Sequence, residues 1–258
     1  MSVLDLFRLD GRTAIVTGGG RGLGAYMAEA LSEAGANLVL CSRKKEACDE
    51  VAAELQGRGG KALSLGCDVS SEEEVEEVVA AAVERFGGVE ILVNNSGITW
   101  GAPAVEMPAE KFERVLAVNV LGTFLMARAV AKRLIERGEG GSIVNIASVA
   151  AFKGSRPGSI ETAGYNASKG AVVSLTRALA GSWGQYGIRV NAIAPGWFPT
   201  RMSRGVLDAK GDEFLKGIPL NRFGGPDDIK GIALLLASDA GAYITGETVV
   251  VDGGQGVW

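Results

Sequence analysis

The 258-residue sequence predicts a single doubly wound, Rossmann-type α/β domain: a mostly parallel seven-stranded sheet with helices on both faces. Three observations predict it. Short, β-branched apolar runs recur along the chain, stretches of helical period separate them, and no Pro- or Ser-rich linker breaks the alternation. Strands that are apolar at nearly every position belong in a parallel sheet covered on both sides. Ligands of such sheets bind beyond the carboxyl ends of the strands, so the informative residues should follow the strands directly.

The first strand is TAIVT (Thr13–Thr17), which runs into the glycine-rich TGGGRGLG and a helix over 23–34. NLVLC (Asn37–Cys41) is the second strand, with a helix over 44–57 after it, and ALSL (Ala62–Leu65) the third, with a helix over 71–86. EILV (Glu90–Val93) precedes a long helical pattern over 108–137, and SIVNI (Ser142–Ile146) precedes one over 162–185. RVNAI (Arg189–Ile193), a helix over 226–238 and TVVV (Thr248–Val251) complete the set.

Composition narrows the chemistry. At 47% hydrophobic and 22% charged, with mean hydropathy +0.19, the chain has the material for a full core. A net charge of −4 and a pI near 5.2 argue against a nucleic-acid surface. No apolar run approaches the ~18 residues of a membrane span, and the N-terminus does not read as a signal peptide. Cys41, Cys48 and Cys67 form no CxxC, which suits a reducing cytoplasm. The chain has no histidine. That removes a Ser-His-Asp triad and histidine metal sites, and no metal is expected. Acid–base work near neutral pH falls to Tyr, Lys, Cys or shifted carboxylates.

Four features stand at the predicted strand ends and on the helices. Gly18, Gly22 and Gly24 allow a tight turn and close approach of a phosphate to a helix N-terminus, in the spacing G-x-x-x-G-x-G. Asn119 falls on the apolar stripe of Phe112, Val115 and Leu116, where a buried amide needs hydrogen-bond partners. Ser148 ends the strand SIVNIAS, a place where a serine can serve simply as a cap. In GYNASKGA, Tyr165 and Lys169 share a helix face at i, i+4, and an ammonium beside a phenol favours the phenolate.

Together with NNSG (Asn94–Gly97) and Pro195-Gly196, these motifs resemble the classical short-chain dehydrogenase/reductase family, in order from Arg12 to Gly254. LFRLDGRTAIVTG and APGWFPTRM look most like its gluconate 5-dehydrogenase and 3-oxoacyl reductase branches. The resemblance implies a dinucleotide held by Gly18, Arg21, Gly22, Leu23 and Gly24, with Asn95 and Gly97 along the ribose and Asp68-Val69 bordering the adenine. Pro195, Gly196 and Thr200 would flank the nicotinamide. Ser148 would hold the substrate carbonyl oxygen, Tyr165 would exchange its proton, and Lys169 would bind the ribose hydroxyls. Asn119 would hold a water linked to Lys169 in a proton relay.

Two departures from the family pattern stand out. Ser96 replaces the usual alanine, and the 17-residue interval from Ser148 to Tyr165 is long. The second bears on the shape of the substrate mouth. Lys153 and Arg156 in that interval are either anion contacts for a sugar acid or plain surface charge. Trp197, Phe198 and Met202 are either a substrate cover or ordinary packing, in a lid spanning about 197–225.

The dinucleotide is expected to be NADP(H) rather than NAD(H). The second strand ends in CSRKK with no acid at its tip. Arg43 and Arg21 can clasp a 2′-phosphate, and Ser42 can donate to it. The function expected is interconversion of a secondary alcohol and a ketone, on a sugar acid such as gluconate. A 3-oxoacyl thioester substrate and a non-catalytic dinucleotide sensor are the alternatives. The resemblance further implies a homotetramer, with the C-terminal strand (Val249–Gly254) and its neighbouring helix at an interface.

Overall fold

A computed structural model describes residues 2–154 and 161–257. Its strands are β1 (Thr13–Thr17), β2 (Asn37–Ser42), β3 (Lys61–Gly66), β4 (Ile91–Asn94), β5 (Gly141–Ile146), β6 (Ile188–Pro195) and β7 (Thr248–Val251). They form one sheet in the order β3-β2-β1-β4-β5-β6-β7, and every neighbouring pair is parallel. The chain starts at β1, builds outward to β3, then crosses back to set β4 on the other side of β1. That reversal opens a crevice above β1 and β4.

Successive strand residues point to opposite faces, so each strand feeds two cores. Ile15, Val39, Leu92 and Ile143 pack under α3 (Glu72–Phe86), α5 (Gly122–Arg137) and α6 (Ala163–Trp183). Ala14, Val16, Leu38, Leu40, Val93 and Val144 pack under α1 (Gly22–Glu33), α2 (Lys45–Gly57) and α8 (Asp227–Ala237). Local chemistry sets the helix ends. Ser71 caps α3 by accepting from the Glu74 N–H, three glutamates occupy its first turn, and Gly87 closes it at φ 89°.

Two elements differ from expectation. The helix expected over 108–137 is α4 (Ala109–Leu116) and α5, joined by a π-helical turn at Ala117–Leu121. By length and composition this run could cross a membrane, but 61% of its most apolar stretch is buried against the rest of the protein. A further helix, α7 (Arg204–Leu215), lies where the sequence predicts none. It buries no residue and departs from helical geometry at Lys210, so its sequence carries no apolar stripe to read.

Candidate active site

The loop after β1 is built around backbone contacts. Gly18 has φ +63° and donates its N–H to the Cys41 carbonyl at 2.7 Å, tying the loop to β2. A side chain at Gly24 would collide with the Gly18 carbonyl and come within 2.6 Å of Asn95 Nδ2. Asn95 Nδ2 donates to the carbonyls of Thr17 (3.0 Å) and Gly18 (3.1 Å). Thr17 Oγ1 in turn accepts from the N–H groups of Asn95 (3.0 Å) and Ser96 (2.9 Å). Only the backbone of Ser96 enters this staple, so a serine in place of alanine leaves it intact. Arg21 stands at the N-cap of α1 and makes no capping bond, so the first-turn N–H groups of α1 have no side-chain cap.

The tip of β2 is cationic. Arg21, Arg43 and Lys44 are exposed and form no ion pair among the described residues. The positive field of Arg21 reaches Cys48, which lies 3.3 Å from Ser42 Oγ. The loop just before Arg21 packs against the start of α2 beyond the β2 tip, since a side chain on Gly20 would meet the Ala47 carbonyl and the Cys48 N–H. Burial nonetheless raises the Cys48 thiol. The cradle, the uncapped helix and these unpaired cations suit a phosphorylated dinucleotide.

Asp68 follows β3. Its carboxylate accepts from the Ser70 N–H and hydroxyl and pairs with Arg114 at 2.8 Å. Those partners outweigh its burial and lower its pKa to about 2. Val69 is buried against Gly122, where a methyl would meet Val69 Cγ2 at 2.6 Å.

Ser148, Tyr165, Lys169 and Asn119 converge beyond β4 and β5. Ser148 caps the short turn Val149–Ala151 by accepting from the Ala150 N–H at 3.1 Å. Its hydroxyl lies near enough to the Tyr165 phenol to lower that phenol's pKa. Lys169 Nζ is buried, lies 5.7 Å from the Tyr165 ring centre and donates to the Ile146 carbonyl at 2.6 Å. Burial lowers Lys169 to about 8. Burial raises the phenol of Tyr165, and the Ser148 hydroxyl offsets part of that. The direction is opposite to the expected one. Spacing brings the amine near the ring, but burial of the phenol sets the direction in the chain alone.

Asn119 sits inside the π turn, 1% exposed, with its amide fully engaged. Oδ1 accepts from the Ile98 N–H (2.8 Å), while Nδ2 donates to the Ile98 carbonyl and to Ser168 Oγ (both 2.9 Å). Its main-chain carbonyl accepts from Thr123 Oγ1 at 2.8 Å. A methyl at Gly97 would lie 3.4 Å from Asn119 Oδ1 and 3.6 Å from Lys169 Nζ, so Gly97 keeps open the space between them.

The loop after β6 reaches across the crevice. Gly196 donates its N–H to the Val251 carbonyl at 2.9 Å beside Pro195. Thr200 is fixed by Ser203, whose Oγ accepts from its N–H at 2.9 Å, and its methyl would lie 3.3 Å from a side chain on Gly22. Trp197 stacks on Phe214 of α7 with centroids 4.5 Å apart. Phe198 is buried in the core, so it is packing, while Met202 is half exposed. Lys153 Nζ donates to the Gln255 carbonyl at 3.1 Å, and Arg156 lies outside the described residues.

Sequence reasoning missed several supporting groups. Thr17 holds the glycine loop, and Ser168 ties helix α6 to Asn119, as just described. Asn145 accepts from Asn94 Nδ2 (3.0 Å) and donates to Thr176 Oγ1 (3.0 Å), a buried polar line joining β4, β5 and α6. The signal that marks Asn119, an amide in an apolar run, is present in SIVNI as well.

Residues 18–255 match a family model described as enoyl-(acyl carrier protein) reductase. A D-threitol dehydrogenase of Mycolicibacterium smegmatis is 41% identical over 96% of this chain and 94% of its own. A gluconate 5-dehydrogenase of Gluconobacter oxydans is 39% identical over 98% of both chains. The crystal structure of a gluconate 5-dehydrogenase from Burkholderia cenocepacia in complex with NADP and tartrate superposes with a TM-score of 0.93, at 39% identity over the whole of both chains.

Proposed function

This chain belongs to the short-chain dehydrogenase/reductase family and is an oxidoreductase of alcohols and ketones, and from that premise we propose an NADP(H)-preferring enzyme that uses Tyr165 as its acid and base. One observation carries the reading: buried Lys169, anchored to the Ile146 carbonyl, stands 5.7 Å from the Tyr165 ring at the strand ends, across Gly97 from Asn119 and beside the glycine cradle. When bound, the dinucleotide supplies the hydride that a carbonyl carbon receives, or takes one from the alcohol.

The protein's own groups do the rest. Gly18 to Gly24 and the α1 N-terminus hold the pyrophosphate, and Arg21, Ser42 and Arg43 take the 2′-phosphate. Asp68 and Val69 border the adenine, while Asn95 and Gly97 line the ribose. Ser148 positions the substrate oxygen and Tyr165 transfers the proton to it. Lys169 binds the ribose hydroxyls and passes protons onward. With the Asn119 amide occupied by Ile98 and Ser168, the relay water belongs to the Asn119 main-chain carbonyl rather than its side chain. Pro195, Gly196 and Thr200 flank the nicotinamide, and residues 197–225 cover the substrate.

Relatives named for D-threitol and for gluconate support a polyhydroxylated substrate, such as a sugar acid. We place the enzyme in the cytoplasm as a homotetramer, following the family. The test is an absorbance screen of both reduced cofactors against ketones, keto sugars, keto acids and 3-oxoacyl thioesters. Consumption of NADPH with a keto sugar acid is expected. No turnover of any carbonyl with either cofactor would sink the proposal.

A further inference from the structure

We propose that Asn166, the residue after the proposed catalytic tyrosine, is a positioning residue that sets Ser148 against Tyr165; the inference rests on the roles given to those two hydroxyls above. Asn166 Nδ2 donates to the Ala150 carbonyl at 3.0 Å and to the Lys153 carbonyl at 2.8 Å. Its Oδ1 accepts from Thr162 Oγ1 at 2.8 Å. Two carbonyls facing one nitrogen fix which end of the amide is which, since only the NH2 end can serve both.

The bonds land where they matter. Ser148 starts the turn Val149–Ala151, with its hydroxyl accepting from the Ala150 N–H and its carbonyl accepting from the Ala151 N–H at 3.0 Å. Ala150 therefore faces Ser148 through its N–H and Asn166 through its carbonyl. Asn166 is adjacent to Tyr165 in the first turn of α6, and its own N–H donates to the Thr162 carbonyl at 2.9 Å. One side chain thus holds the turn carrying Ser148 to the helix carrying Tyr165. The same amide pins the chain where it leaves at Lys153 and where it returns at Thr162. A polar residue placed only for solubility would not commit both amide hydrogens to main-chain carbonyls outside its own helix.

The role predicts a loss in chemistry, not in cofactor binding. Misplacing a reacting group by on the order of 1 Å costs up to ~100-fold in rate. In Asn166→Ala, kcat should fall roughly tenfold or more while the NADP(H) dissociation constant stays within about twofold, because the cofactor cradle is untouched. Combining it with Ser148→Ala distinguishes positioning from general support. If Asn166 acts through Ser148, the double variant is no slower than Ser148→Ala alone. Losses that multiply, or wild-type kcat in Asn166→Ala, overturn the inference. Should Asn166→Ala fail to fold, Thr162→Val removes only the orienting hydroxyl. It should then lower kcat a few-fold in the wild-type background and not in Ser148→Ala, and an unchanged kcat overturns the inference. Tyr165→Phe reports separately on the underlying reading. An active Tyr165→Phe sinks the tyrosine assignment itself, whereas an inactive one with multiplying Asn166 and Ser148 losses sinks only the clamp.

Discussion

Lys169 Nζ stands 5.7 Å from the centre of the Tyr165 ring and gives its 2.6 Å hydrogen bond to the Ile146 carbonyl. The amine is thus anchored to β5 beside the ring. In the proposed mechanism Tyr165 is the group that exchanges a proton with substrate. Tyr165→Phe should therefore abolish turnover and leave cofactor affinity nearly unchanged. Retention of more than about a tenth of the wild-type rate, under ~1.4 kcal/mol of barrier, would show that the phenol is not the acid.

The pH profile follows from the directions found for the two groups. Burial raises Tyr165 in the chain alone, so an ultraviolet titration without cofactor should deprotonate it above the ordinary tyrosine value of 10.0. Alcohol oxidation needs the phenolate and should speed up as pH rises. With oxidised cofactor present, the added positive charge favours the phenolate, so this limb should fall below ~10. A flat rate from about pH 6 to 10, with chemistry shown to be limiting, would remove Tyr165 as the base.

Lys169 is a stability cost that pH should reveal. Its pKa is 10.5 in the unfolded reference and about 8 when folded. A cation whose pKa falls on folding destabilises the fold fully below pH 8, and the penalty fades as pH rises from 8 to 10.5. Compared with Lys169→Met in urea titrations, wild-type stability should improve between those pH values by up to about 3 kcal/mol, since a tenfold change in proton affinity is worth ~1.4 kcal/mol. A difference between the two proteins that does not change with pH would contradict the buried-ammonium account.

Cofactor choice should reside at the tip of β2. Arg43 carries no ion pair to give up among the described residues, so charge-assisted bonds to a 2′-phosphate, each ~1.5–3 kcal/mol net, set a preference on the order of tenfold to a hundredfold. Arg43→Ala should weaken NADP(H) by about that factor and change NAD(H) little. Ser42→Asp should shift preference toward NAD(H). Equal weakening of both cofactors by Arg43→Ala would assign the arginine to adenine packing instead.

The five inner strands are legible in the sequence because buried parallel strands must be apolar on both faces, whereas the edge strands β3 and β7, only partly buried, are legible from their apolar runs between helical stretches. The loop glycines are legible for a related reason: Gly18 and Gly24 occupy backbone positions where a side chain has no room. The π turn at Asn119 is not, because a one-residue slip in hydrogen bonding leaves the apolar stripe on either side intact. Helix α7 lacks a buried stripe to announce it. The titration of Tyr165 escapes the sequence because i, i+4 spacing names a neighbour but says nothing about how much water reaches it. Asn166 looks like a spacer in GYNASKGA, since its partners at Ala150 and Lys153 lie beyond any helical period.

The strand order has a consequence for how the protein comes into being. β1, β2 and β3 can pair as soon as they leave the ribosome, each joined to the next by one helix. The other edge of β1 must wait for β4, whose Ile91 pairs with Ala14 across a long loop closure. The cradle waits longer still, for Asn95 to staple its carbonyls and for Thr200 to close against Gly22. A nascent chain that ends before Thr200 has the glycines but not all their supports. A dinucleotide bound by the completed cradle would stabilise the whole fold by mass action, in proportion to how far its concentration exceeds its dissociation constant.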